Sequence, residues 1–340
     1  MPTSCWACSH PLSARDGLQA IEAAGPTAPM SNHRRFGTRL LSHDVNNCDP
    51  ERLRPACRCG KLPVNIAANA PEHSVDKTGK ERQMADGLQY RIDENHVATI
   101  TLDRPQRLNA VDHEVAHAMM DAVNQACADG ARALILTGTG RFFSSGGDLS
   151  TGLDYDDIGK PMEEIWNPLV DRLMDIPMPV IAAMNGPAIG IGCAFALVAD
   201  IIIADPSAYF QFTFANLGLI PDGGGSWLLA KTVGRHRALA LILLADRLPA
   251  SEARDWGIVH RIAPEGEALS TAHELALRFA GGPTRAYDLI RRSMRAALER
   301  GFSDSLAEER VLQSEAGRTR DFAEAIAAFA EKRPPRYVGA

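Results

Sequence analysis

The chain has 340 residues, 45% hydrophobic and 23% charged, which is long enough to bury a sizeable core. A formal net charge of -6 argues against a nucleic-acid surface. No apolar run reaches the roughly 20 residues of a membrane-spanning helix, and no charged opening followed by an apolar stretch marks a secretory signal.

Residues 1–83 show neither a 3.6-residue nor a 2-residue period and are punctuated by Pro, Gly, Ser and Asn. Such a segment buries too little apolar area to offset the entropy of ordering. It reads as a disordered or misassigned extension, and translation from Met84 would leave a complete domain. Five of the seven cysteines lie in it, but Cys5-x-x-Cys8 and Cys57-x-Cys59 with His10, His33 and His43 fit no standard zinc spacing, so no metal is expected. Only Cys127 and Cys193 lie beyond, as in a reduced, cytoplasmic protein without disulfides.

From Tyr90 to Leu102 apolar and polar residues alternate, which predicts a strand ended by Arg104-Pro105. Asp112 is placed to cap a helix running through Val115, Met119 and Val123. Ala133–Thr137, Pro179–Ala183 and Ile201–Ala204 are short buried-strand candidates separated by helical segments, so an α/β layered fold follows. From about Pro249 the chain reads as mainly helical, with apolar residues at helical spacing over Arg285–Arg300 and Ser303–Lys332. Two glycine-rich turns stand out, Phe143-Ser144-Ser145-Gly146-Gly147-Asp148 and Asn185-Gly186-Pro187-Ala188-Ile189-Gly190-Ile191-Gly192. Adjacent glycines let backbone N–H groups approach a ligand, and a helix starting at the second turn would aim unpaired N–H groups outward. Two such donors on one carbonyl stabilise an enolate oxygen.

These turns, in this order, resemble the crotonase (enoyl-CoA hydratase/isomerase) family. The resemblance runs from about Leu88 to Tyr337. It includes Ile100-Thr101-Leu102-Asp103-Arg104-Pro105, Arg107-Leu108-Asn109-Ala110, Leu217-Gly218-Leu219-Ile220-Pro221 and Trp256-Gly257-Ile258-Val259. It implies a ββα spiral core over residues 84–278 and a C-terminal helical oligomerisation region over 279–340, in homotrimers or homohexamers. It also implies an acyl-CoA substrate, with coenzyme A part of that substrate and no separate cofactor. The family's oxyanion-hole amides fall on Gly147 and on Ile191, where glycine is usual; isoleucine is tolerable if its φ is negative. Arg107 and Leu108 match the segment at the nucleotide end of coenzyme A. Ser145, Gly146, Asp148 and Leu149 match the turn around the pantetheine and adenine, although Asp148 also reads as a turn carboxylate. Phe329 and Lys332 match a C-terminal pair reaching coenzyme A, often from a neighbouring subunit; Lys332 also reads as a solvated lysine.

The same resemblance decides the expected reaction. Family hydratases hold water between two glutamates, and the matching positions here are Ala194 and Phe214, neither of which transfers a proton. Phe214 and Phe212 suggest an apolar acyl pocket. Asp222, in Ile220-Pro221-Asp222-Gly223-Gly224-Gly225, matches the base of dienoyl-CoA isomerases and of the ring-opening isomerases of phenylacetate breakdown. Trp166-Asn167-Pro168-Leu169-Val170 and Gly224-Gly225-Ser226-Trp227 belong to the latter group too. Pro-Asp-Gly is also a plain turn signal. An acyl-CoA isomerase that shifts a double bond or opens a ring is therefore expected. The alternatives are an enoyl-CoA hydratase of fatty-acid or aromatic-acid degradation using an acid among Asp154, Asp156, Asp157, Glu163 and Glu164, or a non-catalytic acyl-CoA-binding member. Residues Thr151–Ile165 would line the acyl end.

Overall fold

The computed structural model describes residues 80–151 and 157–340. The chain up to residue 79, including the cysteine pairs weighed for zinc, and Asp154 and Asp156 lie outside the described residues. The first strand, β1 (Lys80–Ala85), runs across the boundary expected after residue 83.

The single strand expected from Tyr90 to Leu102 is two strands, β2 (Leu88–Ile92) and β3 (Val97–Leu102). Asp93 causes the break. Its Oδ1 accepts from the backbone N–H of Asn95 and of Val97, each at 2.9 Å, and His96 takes a left-handed φ of 63°. An aspartate that satisfies its own following amides folds the chain back on itself.

Helix α1 (His113–Ala128) starts where Asp112 Oδ1 accepts from Val115 N–H at 2.9 Å. The buried strands β4 (Ala133–Gly138), β5 (Val180–Met184) and β7 (Ile201–Ala204) follow, with β10 (Arg261–Ile262) beyond them. Among the described residues seven strands form one sheet in the order β1-β2-β3-β4-β5-β7-β10. It is antiparallel from β1 to β3 and parallel from β3 onward. β4 and β5 are buried almost throughout because both their faces are covered, and the one hydroxyl among them, on Thr137, donates to Ala183 O at 2.8 Å. Ala98, Ile100, Leu134, Leu136 and Ala182 face the larger core with α1, α2 (Asn167–Asp175) and α3 (Ile191–Leu197). Val97, Ile135, Ile181 and Ile203 face the opposite way, onto Ala268, Ala272, Ala276 and Ala280 of α7 (Ala268–Ala280). That alanine stripe, repeating every fourth residue, lays the helix close against the sheet.

A second sheet joins β6 (Ala188–Ile189), β8 (Tyr209–Gln211) and β9 (Leu248–Pro249). Helices α4 (Gly225–Val233), α5 (Arg235–Leu244) and α6 (Ala250–Asp255) flank it in sequence. The chain ends in α8 (Thr284–Glu299), α9 (Phe302–Ala316) and α10 (Arg320–Glu331). The helical stretch expected over Ser303–Lys332 is thus broken near Gly317, and Thr319 caps the last helix by accepting from Phe322 N–H. This is the expected α/β core with a C-terminal helical region.

The last helix is tied to the tail after it. Buried Asp321 accepts from the N–H of Val338 at 2.7 Å and of Gly339 at 2.8 Å. Asp321→Ala leaves both donors unmet and is expected to cost about 1–3 kcal/mol, read by urea denaturation.

Candidate active site

The site begins with Asn109. The turn Pro105–Arg107 leads into Leu108 and Asn109, both left-handed at φ 54° and 56°. Asn109 is fully buried. Its Oδ1 accepts from Arg104 N–H at 2.9 Å, and its Nδ2 donates to the carbonyls of Thr139 (2.9 Å) and Phe142 (2.6 Å). Its own carbonyl accepts from Ser144 Oγ at 2.9 Å. One side chain therefore fixes the segment before α1 to the turn after β4. Val111 N–H then donates to Gly146 O at 2.8 Å, and Asp148 N–H to Val111 O at 2.9 Å. In this parallel pairing the N–H of the intervening Gly147 points away from Val111.

The second turn is pressed onto the first. Ile189 N–H donates to Ser144 O at 2.9 Å. Gly146 has φ +95°, and a Cβ on it would stand 2.7 Å from Ile189 O; a Cβ on Gly192 would stand 2.8 Å from Ser144 O. Only glycine lets these backbones meet. Ile191 then opens α3, where its N–H has no partner within the helix. Its φ is not positive, so isoleucine is accommodated where glycine was expected.

Gly147, Ile191 and Asp222 line one cavity of about 180 Å³. Asp222 sits in the turn before α4, where its carbonyl accepts from Gly225 N–H at 2.8 Å. A Cβ on the next residue, Gly223, would lie 3.1 Å from Ala194 Cβ and 3.2 Å from Ile191 Cγ1, so this turn leans on α3. Among the described residues Asp222 Oδ1 is the one buried side-chain oxygen or nitrogen without a hydrogen-bond partner. Burial pushes its carboxyl up to about 6.

The other carboxylates of this cavity are differently held. Asp112 caps α1 and pairs with Arg104 at 2.7 Å. Asp148 accepts from Ser150 Oγ at 2.6 Å and pairs with Arg107 at 2.8 Å, and the serine bond first, then the guanidinium, hold its carboxyl below the usual range. The walls are apolar: Phe214, Trp166, Met162, Pro161 and Ile158. Buried Ala194 carries no proton-transferring group. Phe212 is buried behind Gly225 and is not part of the wall.

Of the residues expected from the sequence, Ser145, Gly147, Asp148, Leu149, Ile191, Phe214 and Asp222 come together on this cavity. Arg107, Leu108 and Gly146 stand behind it: Leu108 O accepts from Ser145 N–H at 3.0 Å, and Gly146 O from Val111 N–H. Phe329 and Lys332 belong to the end of α10 and are not on the wall; Phe329 is 85% exposed. Glu163 and Glu164 are exposed, and Asp157 accepts from Gly159 N–H; none of the three lines the cavity. The sequence reading did not single out Asn109 or His113, although Asn109 stands inside a quoted motif. A larger hollow of about 730 Å³ between α8, α9 and α10 contains none of the expected site residues.

Comparison with known proteins gives the family. A family model described as enoyl-CoA hydratase/isomerase matches residues 93–340. The chain is 41% identical over 253 residues to 1,2-epoxyphenylacetyl-CoA isomerase of Escherichia coli (strain K12), spanning 72% of this chain and 96% of that one. It is 30% identical over 247 residues to 2,3-dehydroadipyl-CoA hydratase of the same organism, spanning 72% and 96%. Among solved structures, an enoyl-CoA hydratase from Bacillus anthracis superposes with a TM-score of 0.71 at 28% identity, covering 75% of this chain and all of that one. The chain belongs to the enoyl-CoA hydratase/isomerase (crotonase) family, whose chemistry is performed on coenzyme A thioesters.

Proposed function

We propose that the protein is an acyl-CoA isomerase that shifts a double bond or opens a ring, of the kind exemplified by 1,2-epoxyphenylacetyl-CoA isomerase and at home in phenylacetate catabolism. The observation that carries this reading is Asp222: a partly buried carboxylate in an apolar cavity, with Oδ1 unpaired and its titration raised to about 6. A carboxyl near neutrality serves as base and then as acid.

The steps follow from the lining residues. Asp222 takes the proton that the thioester acidifies. The electron pair of that C–H bond moves toward the thioester oxygen, where the N–H groups of Gly147 and Ile191 receive the negative charge. The enolate collapses as Asp222 returns the proton at another carbon, so no atom is gained or lost. Hydration would need a second proton-transferring group to hold water, and Ala194 and Phe214 are what stand at the family's glutamate positions. Arg107, Leu108, Ser145, Gly146, Asp148 and Leu149 make up the coenzyme A side of this reading. Phe329 and Lys332 would reach the ligand from a neighbouring copy in a homotrimer or homohexamer, a role that suits their exposure in one chain. The enzyme is read as cytoplasmic. No helix among the described residues is long and apolar enough to cross a membrane.

The test is a panel of aromatic and aliphatic enoyl-CoAs assayed for isomerisation and hydration side by side, with deuterium exchange at the α-carbon followed in D₂O. Isomerisation with exchange, and at least tenfold slower water addition, is expected. Faster hydration than isomerisation would assign a hydratase, and absence of exchange would leave a binding protein.

A further inference from the structure

Resting on the reading of Gly147 N–H as one of the two thioester donors, we propose that Arg104 is the positioning residue that aims it, acting through Ala110, Asp112 and Asp148. Gly147 has no side chain by which to be held, so the direction of its N–H is set by the chain on either side. That chain is paired with Val111: Val111 N–H donates to Gly146 O, and Asp148 N–H to Val111 O. Whatever fixes Val111 and Asp148 against each other therefore aims the glycine between.

Arg104 reaches both sides of that pairing. On the Val111 side its Nη1 donates to Ala110 O at 3.2 Å and to Asp112 Oδ2 at 2.7 Å, on the residues just before and just after Val111. On the Gly147 side its Nη2 stands 3.7 Å from Asp148 Oδ2, an ion pair with the residue just after Gly147. Arg107 also holds Asp148, but its guanidinium is 49% exposed and its other bond goes to Ser150 Oγ, on the same turn. The Arg104 side chain is only 11% exposed.

Arg104 is itself held from behind. Its backbone N–H donates to Asn109 Oδ1 at 2.9 Å. Its stem crosses Gly87, in the turn between β1 and β2, where a Cβ would stand 2.0 Å from Arg104 Cγ. The bare glycine leaves the room through which the side chain reaches the site. A planar guanidinium presents its donors in a fixed fork, so meeting three acceptors also sets the distances among them; an ammonium, a single swinging point of charge, would not. A buried ion pair contributes little net stability beside an apolar filling, and what this one supplies is geometry. Misplacement by about 1 Å at a reacting centre costs on the order of a hundredfold in rate.

The test is isotope-edited infrared difference spectroscopy of the full chain with phenylacetyl-CoA labelled at its thioester carbonyl, a ligand with no double bond to move. Donors aligned on the oxygen weaken the C=O bond, so the carbonyl band of the bound ligand should lie below that of the free ligand. In Arg104→Met that displacement should shrink to less than about half, kcat on an enoyl-CoA should fall about 10- to 100-fold, and coenzyme A affinity should stay within about threefold. Arg104→Gln, which keeps a polar group for Ala110 O, repeats the test should the methionine variant not fold. A lower kcat or a lower stability beside the full band displacement would make Arg104 a structural support only and overturn the proposal. Absence of any displacement in the unsubstituted chain would overturn it together with the paired-amide reading. Should the band move in the unsubstituted chain, fail to move in the variant, and no enoyl thioester be isomerised, the isomerase reading alone is lost. Isomerisation with band and kcat both unchanged in the variant removes only the role of Arg104.

Discussion

Asp222→Asn is expected to lower kcat by about a thousandfold while coenzyme A affinity stays within about threefold, because the proton carrier goes and the backbone cradle stays. Stopped-flow turnover and equilibrium titration of coenzyme A read the two quantities. Retained turnover would remove Asp222 from the chemistry. The pH dependence follows from the same group. The base is the ionised form, so kcat/KM in the unsubstituted enzyme should fall as pH drops through about 6. Stability runs the other way. The folded-state carboxyl is raised from 3.8 to about 6, so the fold holds its proton more tightly than the unfolded chain does. Relative stability is fully present below pH 3.8 and is lost as pH rises through 6. At pH 8 Asp222→Asn should therefore be more stable than the parent by about 1–3 kcal/mol, while at pH 3 the difference should vanish. A variant that is dead and also more stable separates loss of chemistry from loss of fold.

Gly146→Ala should be nearly as damaging to turnover, by a different route. The added methyl meets Ile189 O at 2.7 Å, and φ +95° is a region that L residues rarely occupy. Neither backbone has a flexible side chain to yield, so the two turns must separate. We expect kcat to fall about 100- to 1000-fold, as when one oxyanion donor is lost, and stability to fall by about 1–3 kcal/mol. Turnover with saturating thioester and chemical denaturation measure the pair. If stability falls and kcat does not, the turns do not align the donors.

Much of the architecture could be read in advance because it depends on local chemistry. Asp112 announces its helix through the amide it caps, and the apolar runs of β4 and β5 announce strands covered on both faces. Asp93 was harder to read, because a turn aspartate inside an alternating pattern looks like another outward-facing strand residue until its two amide bonds are seen. Asn109 escaped for a related reason: its partners lie about thirty residues on, at Thr139 and Phe142, and no periodicity reports a bond across that separation. His113 looked like an ordinary first-turn residue, since only the packed fold brings Trp166 beside it. The apolar pocket was foreseen through Phe214, but Phe212 is buried away from it, because the tight helical turn over Thr213–Leu217 breaks the two-residue alternation that would have set both rings on one face.

The two halves of the pocket are built in different ways. The amide-bearing turns are locked through Asn109, Ser144 and close glycine contacts, where nearly any change disrupts several bonds. Ile158, Pro161, Met162 and Trp166 line the cavity from a separate stretch that contributes side-chain surface. With the acyl group seated as proposed, exchanging these few side chains would retune acyl preference while leaving the amide-bearing turns untouched. On that proposal, new substrates would come within reach one wall residue at a time.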